Sequence, residues 1–246
     1  MSSTAWFHQL PALMTLVYSV PAMTARQFRW LFLGLVAVLL FMGFVADPMT
    51  IGASAQWSND RYHFAGGTQP WALAIAALVI GLYLLLMYSA PLGVGTPLPG
   101  VLRRFVAFWL DFVLAMVAAG PIFGVIPTLM EWRRTGIFEW VFERTTPAPG
   151  DGLLLATGFL LCSVALVLYY AFPLAHNRPS PGTCICGYQI VADNGGTLSL
   201  RTALLRTFLG FIALCAAYLA PFVARDRKNG KFWLDKVFGT RAVMLS

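Results

Sequence analysis

The sequence predicts an all-α polytopic membrane protein: four clear transmembrane helices plus a fifth span or re-entrant hairpin, with a small cytoplasmic β-hairpin. Three observations predict it. Of the 246 residues, 59% are hydrophobic and 11% charged, whereas a soluble domain carries roughly a quarter charged residues on its surface. The charges are also segregated: residues 30–46, 62–102, 152–175 and 207–224 contain no Asp, Glu, Lys or Arg. Uncharged apolar blocks of roughly 17–20 residues or more match the thickness of a bilayer core. Together these exclude a soluble enzyme, an ordinary DNA-binding protein and a secreted disulfide scaffold. The surplus of seven positive charges points to basic residues held at a cytoplasmic membrane face, with no nucleic acid as partner.

Residues 1–29 read as an apolar interfacial arm broken by Pro11 and Pro21. The stretch LPALMTLVYSV at 10–20 is similar to a signal-peptide core, but no Lys or Arg precedes it, so the arm reads as retained. The first span is 30–46, ended by Asp47-Pro48, and a polar loop rich in Gly, Ser and Asn runs to Pro70. The second is 71–90, with Trp71 and Tyr88 as headgroup anchors. Residues 91–100 hold three prolines and three glycines, a turn-rich linker. It separates a two-span part, 30–96, from a second membrane domain, 97–246.

The third span is 104–126, and it alone holds an interior acid, Asp111. The segment EWRRTGIFEWVFER at 131–144 interleaves aromatics with charges. It reads as an amphipathic helix on the interface, or a partner-docking helix presenting Trp132 and Trp140. The fourth span is 153–174. After it, PSPGTCICGYQIVADNGGTLSL reads as two short strands around Asp193-Asn194-Gly195-Gly196. The last apolar block is 207–224, and six basic residues follow it.

Those six decide the orientation. With the N-terminus cytoplasmic, Arg26, Arg29, Arg103, Arg104, Arg178, Arg201 and Arg206 lie inside and Arg61, Arg133, Arg134 and Arg144 outside, as the positive-inside rule requires. A plain fifth span would put the basic tail outside. A hairpin within 207–224, bent near Gly210 or Pro221, would return it to the cytoplasm. Both remain open on the sequence, with the basic count favouring the hairpin. The composition suits a bacterial inner membrane.

Chemistry-bearing residues are few. Cys162 and Cys215 lie in apolar runs, and Cys184 and Cys186 form a lone C-x-C, which is neither a zinc nor a disulfide framework. His8, His63 and His176 lie outside the spans. No metalloprotease, nucleophile-elbow, phosphate-loop or dinucleotide motif is present. The chain is therefore expected to be no enzyme, with no catalytic residue, cofactor or metal.

One constellation remains. Arg104, Ala107 and Asp111 are spaced i, i+3, i+7 and share a stripe of the third helix. Asp111 lies about 10 Å deeper than Arg104, where a carboxylate is costly unless protonated, paired or facing water. Arg201 or Arg206 are candidate partners for Asp111, and Asp226 or Asp235 for Arg104. Either Asp111 binds protons or cations in a transport path, or these charges clamp the C-terminal segment to the third helix.

Residues 97–246 resemble the RDD family, named for its Arg, Asp and Asp. The first element is Arg104-Phe-Val-Ala107-Phe-Trp-Leu-Asp111. The second runs from Ser180-Pro181-Gly182-Thr183 through Gly187 to Ser199-Leu200-Arg201 and Arg206, and the third is Asp226-Arg227 followed by Leu234-Asp235-Lys236-Val237-Phe238-Gly239-Thr240. The resemblance implies Arg104, Asp111 and Asp235 as signature residues and Gly182 and Gly187 as turn glycines. Thr183 stands where the family usually has Lys, and Leu234 where His commonly precedes the last Asp. Some relatives are credited with cation/proton antiport, and others look like accessory or scaffolding proteins. The expectation is an accessory subunit, embedded in the lipid bilayer and bound to a membrane-protein partner or a second copy. The alternative is an antiporter moving protons and monovalent cations through Asp111.

Overall fold

The computed structural model describes residues 23–45, 51–58, 61–89, 99–217 and 231–245. Helix α1 (Ala25–Val45) begins on a capping box. Gln27 N–H donates to Thr24 Oγ1 at 3.3 Å, and Gln27 Oε1 accepts from the Thr24 N–H at 2.8 Å, satisfying two otherwise orphaned donors at the helix start. Residues 25–29, expected in the interfacial arm, are thus the first turn of the first apolar helix. The rest of that arm, residues 1–22, lies outside the described residues.

Among the described residues three helices are long and apolar enough to cross a membrane: α2 (Pro70–Tyr88), α3 (Val101–Thr135) and α4 (Asp151–Ala175). Phe28 and Phe32 of α1, fully buried, pack with Val79 and Leu86 of α2, Leu114 of α3 and Cys184. The outer faces stay apolar, as on α4, where Leu153, Phe159 and Leu160 are each more than 60% exposed. Such a surface requires lipid or protein around it. At 35 residues, α3 is roughly 52 Å long and outruns a hydrocarbon core of about 30 Å.

Where α3 outruns the bilayer, the structure departs from expectation. The segment 131–144 is no separate amphipathic helix. Its first five residues are the end of α3, which stops at Gly136, a left-handed C-cap with φ 75°, a conformation nearly free of strain only for glycine. Val141–Arg144 is then strand β3. The polar loop expected before Pro70 is likewise a hairpin, β1 (Ile51–Ser58) and β2 (Arg61–Thr68), in an antiparallel sheet of order β1-β2-β3. The alternation of β2 is short: Tyr62 and Phe64 point inward, Arg61 and the His63 side outward, before Gly66 and Gly67 interrupt it. Gly124 lets α3 lie on the sheet, because a Cβ there would collide with the Gly67 carbonyl oxygen, and Thr128 Oγ1 donates to the Trp140 carbonyl at 3.1 Å.

At the other end of α3, a second correction concerns the hairpin expected around Asp193. Residues Pro181–Ile185 form a short helix, α5, and Tyr188–Ala192 is strand β4. Its partner is β5 (Thr240–Met244), antiparallel, from Tyr188 opposite Met244 to Ala192 opposite Thr240. The turn at Gly195-Gly196 leads into helix α6 (Leu200–Ala217) instead of a return strand. Ser199 Oγ accepts the Thr202 N–H at 3.2 Å, an N-cap that commits the following residues to helix.

β5 and the short helix α7 (Trp233–Val237) place the tail. Asp235 is ion-paired to Arg206, in the second turn of α6, at 2.7 Å. Residues 231–245 therefore lie at the end of the bundle where α6 begins. Helix α6 runs through Gly210, one of the two places where a bend was expected, and the other, Pro221, lies outside the described residues.

Candidate functional site

Two buried carboxylates organise this end of the bundle. Asp111, 1% exposed, takes three donors from two other elements. Ser180 Oγ donates to Oδ2 at 2.5 Å, the Gly182 N–H to Oδ1 at 2.7 Å, and the Tyr169 hydroxyl to Oδ1 at 3.1 Å. The local sequence explains the first two. Ser180 is the N-cap of α5, with Pro181 following it at the first helical position, where its missing N–H costs nothing. This aims the Ser hydroxyl and the first free N–H groups at one point. The close approach needs a glycine at 182. A Cβ on Gly182 would lie 2.7 Å from the Asp111 carboxyl carbon and collide with the Ala107 carbonyl oxygen.

Asp235, fully buried, sits in a fork. Arg104 Nη1 donates to Oδ2 at 2.6 Å and Arg206 Nη2 to Oδ1 at 2.7 Å, and the Thr240 hydroxyl adds a third bond at 3.2 Å. The Phe232 ring lies 4.1 Å from the Arg104 guanidinium, a cation–π contact. Burial alone would push the Asp235 carboxyl up, but the charges of Arg206 and Arg104 outweigh it and hold the group below the ordinary carboxylate range. The fork ties α3, α6 and α7 together.

A cavity of about 170 Å³ lies between the two carboxylates. Arg104, Arg178 and Arg206 line it alongside Asp111 and Asp235, within walls that include Phe108, Tyr170 and Phe211. The Tyr170 hydroxyl donates to the Phe108 carbonyl at 2.8 Å, and the two rings stack, which fixes α4 against α3.

The sequence candidates sort as follows. Arg104 and Asp235 meet directly. Arg206, expected beside Asp111, serves Asp235 instead, because Asp111 lies about two turns deeper than Arg104 and already accepts from three neutral donors. Arg201 is exposed on the first turn of α6 and makes no ion pair among the described residues, so neither Arg reaches Asp111. Gly182 lies against Asp111. Gly187, with φ 70°, turns the chain into β4, and its carbonyl accepts the Leu245 N–H at 2.9 Å. Asp226 lies outside the described residues. Trp132 and Trp140 are at the opposite end of α3, both about half exposed, each packed edge-on against Phe138. Cys184 is buried in α5, where burial pushes its thiol up to about 12, so it is no thiolate at neutral pH.

A model of the RDD family matches residues 98–239. The chain belongs to the RDD family. The match spans more than half of the sequence and takes in both carboxylates with all their partners except Thr240, which lies one residue beyond it. No curated protein and no solved structure matches the chain. Thr183 and Leu234, where this chain departs from the usual RDD pattern, both line the cavity. The substitutions thus fall at one place in space, although 51 positions apart in sequence.

Three site residues escaped the sequence reading. Tyr169 was one hydroxyl among many apolar residues of a span, Ser180 only a neighbour of a turn glycine, and Arg178 one basic residue among those counted for orientation. The doublet Tyr169-Tyr170, polar tips inside an otherwise apolar block, was the available signal.

Proposed function

We propose that this RDD-family membrane protein is a non-enzymatic accessory or scaffold subunit of the bacterial inner membrane, docking on a larger membrane complex. In this reading α1 to α4 are four spans with a cytoplasmic N-terminus, and α6 is the first limb of a re-entrant hairpin. One observation carries the proposal. Both buried carboxylates are held by groups from other elements, three donors on Asp111 and three on Asp235. Carboxylates so engaged fasten elements together. The aromatic edge of Trp132, Phe138 and Trp140 at the opposite end supplies a surface for a membrane-protein partner or a second copy.

Purification from native membranes in mild detergent tests this. The expected result is a partner, or a second copy, at fixed stoichiometry that Trp132→Ala with Trp140→Ala releases. A chain that purifies alone and monomeric from its native membrane sinks it.

A second reading, a cation/proton antiporter using Asp111, is favoured by the cavity reaching that carboxylate. Proteoliposomes showing cation-driven proton flux that Asp111→Asn abolishes, with the protein still folded, would support it over the accessory role.

A further inference from the structure

Arg178, three residues beyond the end of α4, lines the same cavity. Its Nη1 is shut off from solvent and has no hydrogen-bond partner. Among the described residues no carboxylate, carbonyl or hydroxyl accepts from any nitrogen of its side chain. A guanidinium cannot deprotonate its way out of such a position, and a partly buried charge without a counter-charge is costly. Burial already draws this group down from the ordinary arginine range.

The other charges around the cavity do not answer it. Asp235 is shared between Arg104 and Arg206, and Asp111 already accepts from Ser180, Tyr169 and Gly182. Three arginines face two carboxylates, a surplus of at least one positive charge. Water around the rest of the guanidinium would leave the charge uncompensated. The free donors are not confined to Arg178, because Arg104 Nε is buried and unpartnered as well.

Size and wall chemistry narrow the occupant. The volume, about 170 Å³, compares with the ~150 Å³ cavity that admits a benzene-sized molecule. It therefore holds a tetrahedral oxyanion with a few attached carbons. Arg178 lies just past the last turn of a span and Arg104 in the first turn of its antiparallel neighbour, which is headgroup depth. Phe108, Phe211 and Tyr170 make the rest of the wall apolar, suited to the carbons next to a phosphodiester.

We propose that this cavity binds a phosphate oxyanion through Arg178, supplied by a phospholipid headgroup, with free phosphate as the other source of the same chemistry. The guanidinium fork matches phosphate with two parallel hydrogen bonds. The proposal is independent of docking and of transport, since neither enters its test.

The test uses the full chain, purified and delipidated in an uncharged detergent. Dihexanoyl phosphatidylglycerol and inorganic phosphate are titrated separately, with the melting temperature and native mass spectrometry as readouts. Saturable binding is expected, weakened roughly tenfold or more in Arg178→Gln and less in Arg178→Lys, as for loss of a charge-assisted hydrogen bond. Arg61→Gln, exposed on the sheet at the other end, should bind like the parent. Tighter binding of the lipid than of phosphate identifies the headgroup as the source, and the reverse order identifies free phosphate. No saturable binding of either probe to the parent chain overturns the proposal. So does binding that Arg178→Gln leaves unchanged. Should Arg178→Gln fail to fold, Arg178→Lys decides alone: unaltered affinity for both probes in that variant counts against a guanidinium-built site.

Discussion

Arg104 and Asp235, 131 residues apart in the chain, meet at 2.6 Å with almost none of either side chain exposed. The pair closes the RDD domain on itself, joining the start of α3 to the short helix before the last strand. Its energetics are asymmetric. Two buried charges together cost little more than they return, whereas one alone is strongly unfavourable.

Asp235→Ala should therefore destabilise the protein by about 3–5 kcal/mol, since it strands both Arg104 and Arg206. The double variant Arg104→Met, Asp235→Leu should recover part of that loss. Denaturant unfolding in detergent measures both. A double variant less stable than Asp235→Ala would show that the ion pair is not the source of the cost.

Acid should act on the same pair, and the sign follows from linkage. The folded Asp235 is held below its unfolded value of about 3.9. Its contribution is then fully present above that value and is lost as pH falls through the lower folded value. Melting temperatures should be flat in this contribution from pH 7 to about 5 and fall below about pH 4. The difference between parent and Asp235→Asn should shrink over the same acid range. A difference unchanged down to pH 2.5 would contradict the assignment.

Gly182→Ala should cost about 1–3 kcal/mol through overpacking, because the new methyl meets the Ala107 carbonyl and the Asp111 carboxyl. Gly158→Ala, in α4 with open space around its Cβ position, should be neutral or slightly stabilising through helix propensity. Equal effects at the two positions would mean that α5 does not pack as closely on α3 as described.

At the far end, Arg144 pairs with Asp151 and Glu131, and its guanidinium lies 4.5 Å from the Phe64 ring centroid. Arg144→Ala should release β3 locally, at a cost of about 1.5–3 kcal/mol. Amide exchange in Val141–Arg144 should accelerate while the first half of α3 keeps its protection. Uniform acceleration along α3 would show that the sheet and the helix open as one unit.

The three long apolar helices were legible because lipid solvation demands a property visible in one dimension, some twenty apolar residues in a row. The small sheet on the end of α3 was not. The alternation of β2 is broken by Gly66 and Gly67, β3 has only 4 residues, and it starts 73 residues beyond Thr68. The hairpin expected around Asp193 failed for the same reason. β4 has a strand pattern, but its partner β5 is at the other end of the domain, and pairing energy does not depend on sequence distance.

For the site, composition alone singled out Asp111, because an acid inside an apolar block is expensive wherever it lies. The RDD-like motifs added Arg104 and Asp235. What sequence could not assign was who meets whom. Helical spacing put Arg104 and Asp111 on one stripe, yet their partners come from α4, α5 and α7, and hydrogen-bond geometry made the choice. Neutral donors at the depth of Asp111 took the place reserved for Arg206, which turned to Asp235. The unpartnered Nη1 of Arg178 is likewise visible only in the packed helices.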